Sequence, residues 1–339
     1  MHKKFSDFFE NFRIKNDIDQ RLTVFEYDFY QTKGSLKIKV IFSDSGLMES
    51  FENELVDLPS GIRKKVKLAV LPDKKNMFGL INVCAASIVS SASFKSCMLT
   101  QSLLGEKVDI LQISGDWLRV RCEDGYIGWV NSSQVVLYTD KEISKWENGR
   151  VFLFRDTIGD IKESLDDFSV SLRRILIGSK LPYLKKKGEW LKVKLPDNSE
   201  GWLKNKTELK WLDEKGKSIR EKIVLTSMKF LGIPYLWGGK SPMGFDCSGF
   251  VQTVFSLNGI SLPRDSDMQF KFAKKTVHSM KKGDLLFFCK NVISHVGIYI
   301  GNKRFIHSRG FVRISSFDES DKYYDKYLKE IFFESRSVI

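Results

Sequence analysis

Apolar and polar positions alternate with a period of two in several short stretches, the mark of half-buried strands. Near the start these run from Arg21 to Tyr27 and from Ser35 to Ile41, with a turn signal at Lys33-Gly34 between them. The spacing predicts a short helix from Met48 to Leu58 ended by Pro59, a strand from Val66 to Leu71, and a linker from Pro72 to Asn76. Residues 1–76 thus read as a small α/β unit with no chemistry of its own. From Ser218 the texture changes. Helical spacing over 219–230 runs into the glycine-rich stretch Gly232 to Gly239. Apolar residues at 250, 251, 254 and 255 then form the stripe of an amphipathic helix whose N-terminus falls at Asp246 or Cys247. His295 to Ile300 and Arg304 to Ser308 read as antiparallel strands joined through Gly301-Asn302.

The middle of the chain repeats itself. Gly115-Asp116-Trp117-Leu118-Arg119-Val120 recurs as Gly188-Glu189-Trp190-Leu191-Lys192-Val193, and Gly128-Trp129-Val130 as Gly201-Trp202-Leu203, both at an offset of 73 residues. Two landmarks at one offset signal duplicated modules, here small β-barrels over 77–138 and 139–213. The pattern resembles bacterial SH3 domains. The tryptophans are expected in the barrel cores, with a peptide groove as the alternative.

Composition is that of an ordinary globular protein: 42% apolar and 29% charged. No run of eighteen uncharged apolar residues suggests a membrane-spanning helix. The opening residues meet Asp7 and Glu10 too early for a signal-peptide core, so a cytoplasmic protein with no membrane partner is the expectation. Five scattered cysteines lack metal-ligand spacing, and neither a metal nor a cofactor is expected. The net charge is +13, of which residues 218–339, with 19 Lys/Arg against 11 Asp/Glu, hold +8. A solvated basic surface or an anionic ligand explains this better than nucleic acid, for which no binding signature is present.

Chemistry concentrates in the last third. Cys247 at a helix N-terminus would meet unsatisfied N–H groups and the positive end of the macrodipole, which favour a thiolate. Three of the four histidines lie in the last 62 residues. A strict two-residue turn at 301–302 would put His295 and His307 on opposite faces, whereas a three- or five-residue loop centred on Gly301 would put them on one. His278 reads as a loop surface residue, and His2 is terminal. Asp284 reads as a structural turn residue and Cys289 as a buried, inert thiol.

Tyr235-Leu236-Trp237-Gly238-Gly239, Phe245-Asp246-Cys247-Ser248-Gly249-Phe250, Leu262-Pro263-Arg264, Gly283-Asp284-Leu285, His295-Val296-Gly297 and Phe305-Ile306-His307-Ser308 follow one another in an order and spacing that resembles the NlpC-type, papain-like murein peptidases. The resemblance covers 218–339. Together with the paired SH3-like modules it implies an α+β multidomain protein of the γ-D-glutamyl-L-diamino acid endopeptidase type, acting on murein-derived peptides. It assigns Cys247 as nucleophile, His295 as base and His307 as its orienting partner, with the backbone N–H of Cys247 as oxyanion donor and Tyr235 near that hole. It further implies that Asp246 and Tyr126 bind a free L-Ala ammonium, and that Trp237, Ser248, Asp265 and Ser266 wall the pocket. The plain alternatives are a helix N-cap for Asp246, a role compatible with the first, barrel surface for Tyr126 and core for Trp237. Ser91 stands where relatives often carry a second acidic ammonium partner. The rival expectation is a catalytically silent binder of murein fragments.

Overall fold

Phenylalanines 5, 8, 9 and 12 recur at helical spacing, and in the computed structural model the chain begins with helix α1 (His2–Lys15), an element the period-two pattern gives no hint of. The structure describes residues 2–32, 35–56, 60–72, 77–204, 216–276 and 279–339. Phe9 and Phe12 are buried beneath α1 against a small sheet. Its strands are β1 (Phe25–Thr32), β2 (Ser35–Phe42) and, after helices α2 (Ser45–Leu55) and α3 (Ser60–Arg63), β3 (Val66–Val70). β1 and β2 are antiparallel and β2 and β3 parallel, as a crossover through helices requires. Helix α2 starts earlier than expected because the Asp44 carboxylate accepts the Leu47 N–H at 2.8 Å and caps it. Residues 21–23 are not strand. The N–H groups of Leu22 and Thr23 both return to the Asp19 carbonyl, which turns the chain there. The expected turn at Lys33-Gly34, the stop at Pro59 and the linker residues Asp73–Asn76 lie outside the described residues.

Two antiparallel sheets follow. The first contains β4 (Met77–Ile81), β5 (Ala85–Val89), β6 (Met98–Leu103), β7 (Lys107–Ser114), β8 (Trp117–Cys122), β9 (Ile127–Asn131) and β10 (Val135–Thr139), in the order β10-β4-β7-β8-β9-β5-β6. Helix α4 (Asp140–Glu147) leads to the second, made of β11 (Val151–Leu153), β12 (Ile158–Lys162), β13 (Ser171–Leu176), β14 (Lys180–Lys187), β15 (Trp190–Lys194) and β16 (Glu200–Lys204). Its order, β11-β14-β15-β16-β12-β13, repeats the first in all but one edge strand. The 73-residue offset holds at atomic detail. A Cβ on Gly128 would meet Ile88 Cγ2 at 2.5 Å, and one on Gly201 would meet Ile161 Cγ2 at 2.3 Å, so both glycines exist for the same close approach. The tryptophans only partly follow expectation. Leu118, Val120 and Val130 fill the first core, and Leu191, Val193 and Leu203 the second. Trp129 and Trp202 are half-buried beside cations, Arg119 at 5.6 Å and Lys192 at 5.8 Å, whereas Trp190 is buried, 9% exposed, with Lys204 5.5 Å from its ring. Cation–π contact adds to what these rings gain by burial.

The last part begins at helix α5 (Ile219–Met228), capped reciprocally by Ser218 and Glu221. A two-stranded ribbon, β17 (Lys240–Ser241) and β18 (Gly244–Phe245), delivers the chain into helix α6 (Cys247–Ser256). After α7 (Ser266–Phe272) come β19 (Lys274–Lys275), β20 (Leu285–Cys289), β21 (Ile293–Gly301), β22 (Arg304–Arg309), β23 (Phe311–Ser316), α8 (Lys326–Glu330) and β24 (Phe332–Ser337). The strands form one sheet, β19-β24-β20-β21-β22-β23, and α6 packs across β21 and β22 through Phe250, Val251, Val254 and Phe255. Among the described residues no helix is long and apolar enough to cross a membrane. His278 lies outside the described residues.

Because each of these two glycines fills a space too small for a methyl group, Gly128→Ala and Gly201→Ala should each cost about 1–3 kcal/mol. Thermal melts followed by circular dichroism should show both variants unfolding below the parent, whereas Gly61→Ala, in α3, whose Cβ would meet nothing within 4 Å, should lose less.

Candidate active site

The site is organised around the first turn of α6. Asp246 is the N-cap, and its carboxylate accepts the Gly249 N–H at 2.6 Å. Four further donors converge on the same group: Gly238 N at 3.0 Å, Ser248 Oγ at 3.2 Å, and Arg264 through Nη1 at 3.1 Å and Nη2 at 2.5 Å. Arg264 is 1% exposed, and its Nε donates to Thr100 Oγ1 at 2.8 Å, on β6. A carboxylate with five donors has no lone pair left. Asp246 is therefore a structural anchor whose carboxylate is filled, a correction to the ammonium-binding role expected of it. Gly249 and Gly239 make this turn possible, since a Cβ on Gly249 would stand 2.2 Å from the Gly239 carbonyl oxygen.

Cys247 is 8% exposed. The backbone N–H groups of Val296 and Ser248 point at its sulfur, yet burial and the adjacent Asp246 carboxylate push the thiol up to about 12. Desolvation and a neighbouring negative charge thus act against the stabilised thiolate expected at a helix N-terminus.

The Val296 contact places the thiol beside β21, on which His295 stands. His295 Nε2 and His307 Nδ1 are 2.9 Å apart, with the rings edge to face. They share a face by neither of the routes foreseen. The turn is Asn302-Lys303, both with positive φ of 51° and 58°, and a bulge between Tyr299 and Gly301 supplies the odd residue. Ile298 pairs with Ile306, which sets the histidines on neighbouring diagonal positions. Gly297 between them leaves the room, since a Cβ there would be 3.1 Å from His307 Cβ.

The chain of contacts continues past the histidines. His307 Nε2 lies 3.0 Å from Ser315 Oγ, and Ser315 Oγ 3.5 Å from Asp325 Oδ2. A consistent assignment has His295 Nε2–H donating to His307 Nδ1 and His307 Nε2–H donating to Ser315. It leaves His295 Nδ1 unprotonated, as a base must be. Burial, then the positive charge of Arg309, lowers His295 to about 3, and burial holds His307 well below its ordinary value. Neither Ser315 nor Asp325 was found from the sequence, and no motif marks them. Ser315 becomes visible only when β22 pairs with β23, and Asp325 only when the cap of α8 folds back on Ser316, whose carbonyl accepts the Asp325 N–H at 3.1 Å.

The other expected residues scatter around this centre. Tyr235 is half-buried, its phenol raised by burial and the proximity of Cys247. Trp237 is 64% exposed, so it is not core. Ser248 is buried and accepts from Arg264 Nη1 at 3.0 Å. Tyr126, 4% exposed, reaches across from the first sheet and donates to Asp265 Oδ2 at 3.1 Å. Asp265, raised by burial, caps α7, which Ser266 begins. Ser91 lies in an exposed bend, with its hydroxyl 2.5 Å from that of Ser96. Asp284 is buried and accepts from Arg220 at 2.7 Å, the structural place expected of it. Cys289 is half-buried at a strand end, more accessible than expected, and all five cysteines are free. Among the described residues no group of three or more His, Cys, Asp or Glu is arranged to hold a metal. A cavity of about 490 Å³ opens away from the thiol, in the seam lined by Gly105, Glu106, Ile177, Lys240, Gln252 and Leu262.

Residues 232–332 match the NlpC/P60 family, and residues 88–135 match the bacterial dipeptidyl-peptidase SH3 domain. The γ-D-glutamyl-L-lysine dipeptidyl-peptidase of Bacillus subtilis is 36% identical over 228 residues, covering 62% of this chain and 71% of its own. The protein of the same name from Bacillus cereus is 33% identical over 226 residues, and the match spans about two thirds of its length, 66%. A crystal structure of a Bacillus cereus NlpC/P60 family protein superposes with a TM-score of 0.64 at 25% identity, covering 77% of this chain and 99% of that one.

Two outcomes follow from the electrostatics. Between about pH 6.5 and about pH 3 the unfolded chain binds protons that the buried histidines refuse, so stability should fall as pH falls through that window. Melting temperatures from pH 7 to pH 4 should show a shallower decline in His295→Asn. Removing the cation from a buried pair leaves an uncompensated charge, and Arg264→Met should cost roughly 3–5 kcal/mol in denaturant titrations.

Proposed function

The chain belongs to the NlpC/P60 family and is a cysteine peptidase, and we propose that it hydrolyses the γ-D-glutamyl-L-diamino acid bond of murein peptides, releasing an N-terminal dipeptide. The observation that carries this is the relay His295–His307–Ser315–Asp325 beside a thiol at the start of α6. The relatives' printed activity, removal of a dipeptide before lysine, supports the bond; lysine or diaminopimelate would both fit the reaction.

In the proposed mechanism Cys247 is the nucleophile. His295 Nδ1 takes the thiol proton as sulfur attacks the γ-carbonyl, and the positive charge then on His295 is spread through His307 and Ser315 toward Asp325. The Cys247 N–H, at the open end of α6, receives the developing oxyanion with Tyr235 alongside; such a donor is worth about 3 kcal/mol. Imidazolium then protonates the departing amine, and water resolves the thioester with His295 again as base. His307 orients the ring, a task that needs only its neutral form.

At the amine end, Asp265 and Tyr126 take the substrate ammonium, with Ser266 and the exposed Trp237 as pocket walls and Ser248 as a brace beneath. Asp246 holds this frame without touching the amine. With Ser91 in place of an acidic residue, selection rests on one carboxylate, and a preference for a free amine should be weaker by roughly 1.5–3 kcal/mol than with two. The domain arrangement that goes with this reading is 1–76, 77–138, 139–213 and 218–339, with the second sheet as a further SH3-like module. Its end, residues 205–215, lies outside the described residues. Recycling of wall peptides in the cytoplasm is the setting that fits best.

Mass spectrometry of L-Ala-γ-D-Glu-diaminopimelate and of the lysine peptide tests the proposal. The parent should release L-Ala-D-Glu from at least one, and Cys247→Ala from neither; no cleavage by the parent would leave the silent-binder reading. His307→Ala should retain about one part in a hundred to ten thousand of the rate, the span of general acid–base assistance.

A further inference from the structure

Residues 1–76 read from sequence as a unit without chemistry, yet one of their side chains reaches the substrate pocket. Arg21 lies in the turn before β1. Its Nη1 donates to Asp265 Oδ2 at 2.9 Å and to Asp267 Oδ1 at 2.8 Å. Nη2 donates to Asp267 Oδ2 at 2.9 Å and Asp19 Oδ2 at 2.7 Å, and Nε to Asp19 Oδ1 at 2.9 Å. All three donor nitrogens of one guanidinium are thus engaged by three carboxylates, two of them on α7 or its cap. The same residue's backbone carbonyl accepts the N–H of Ile127 at 2.7 Å, the position directly after Tyr126. Arg21 therefore touches the supports of both groups assigned to the ammonium, although 244 residues separate it from Asp265.

We infer that Arg21 is a positioning residue of the substrate pocket. By drawing Asp265 Oδ2 to itself and pinning the strand that carries Tyr126, it leaves Asp265 Oδ1 as the acceptor for the substrate's ammonium, and it makes the N-terminal unit a working part of the site. The inference rests on the proposed reading of the amine pocket.

Two physical points support it. Asp265 Oδ2 is shared by Arg21 and the Tyr126 hydroxyl, while Oδ1 takes no partner among the described residues. A carboxylate whose one oxygen is clamped and whose other is open is pre-oriented, and pre-orientation lowers the cost of binding. In addition, three carboxylates packed around one cation repel one another once it is removed. Asp265, already raised by burial, would then hold its proton more readily and lose the charge that an ammonium needs.

The test compares L-Ala-γ-D-Glu-L-Lys with its N-acetylated form in the parent, Arg21→Gln and Arg21→Lys. Expected for Arg21→Gln is a KM for the free-amine peptide raised about tenfold or more, kcat within about threefold, and a preference for free over acetylated peptide that largely disappears. Arg21→Lys keeps the charge but lacks the planar five-donor fork that engages three carboxylates at once, so it should fall between. Glu26→Ala cuts the other clasp between the N-terminal unit and the first sheet, the pair Glu26–Arg119, and should leave the preference unchanged. A parent-like preference in Arg21→Gln overturns the inference; if that variant does not fold, a parent-like preference in Arg21→Lys does so. A parent that cleaves both peptides equally overturns the amine reading itself, and the inference with it.

Discussion

The buried pair Asp246–Arg264 is the interaction on which the rest of the site depends. One carboxylate caps α6, bonds the Gly238 N–H and takes both arms of an arginine that is itself 1% exposed. Two charges out of water are costly unless every donor and acceptor is matched, and here they are matched by backbone, serine and threonine groups. The price of that arrangement falls on the neighbouring thiol. Cys247 sits beside a negative charge in a dry place, and both raise its thiol above the ordinary value.

A second consequence is that the site belongs to no single part of the chain. Thr100 and Gln101 of β6 receive Arg264, Lys240 and Ser241, and Tyr126 reaches Asp265 from the same sheet. Arg21 closes the ring from the N-terminal unit. These contacts are short and mostly shielded, so they hold the bodies in register more firmly than exposed ion pairs would. The excess of basic residues has a plain explanation in this light. Several are consumed as clasps between parts or as roofs over tryptophans, and the remainder give a basic surface suited to carboxylate-rich peptides.

Much of the site was legible in sequence because it is local. Helical spacing after a glycine-rich run placed Cys247 at a helix start, and the pattern around Gly301 placed the histidines on two adjacent strands with their shared face left open. What was missed is instructive. Helix α1 carries its period in Phe5, Phe8, Phe9 and Phe12, yet the charges between them, at Lys3, Lys4, Asp7 and Glu10, mask the apolar stripe. Arg264 stood in a quoted motif without a role, since nothing in sequence says which carboxylate an arginine meets. Ser315 depends on strand pairing, Asp325 on the fold-back of the α8 cap, and Arg21 on the docking of parts far apart in the chain.

The sequence by itself determined the repeat, the helix that presents the cysteine and the residues able to form a relay, because each follows from periodicity, turn chemistry or a short spacing. Only the tertiary structure decided that the histidines share a face, through a bulge and a two-residue turn whose effects cancel. It also decided that burial raises the Cys247 thiol and that the Asp246 carboxylate is filled. Burial and long-range pairing set those outcomes, and neither is encoded in the spacing of neighbouring residues.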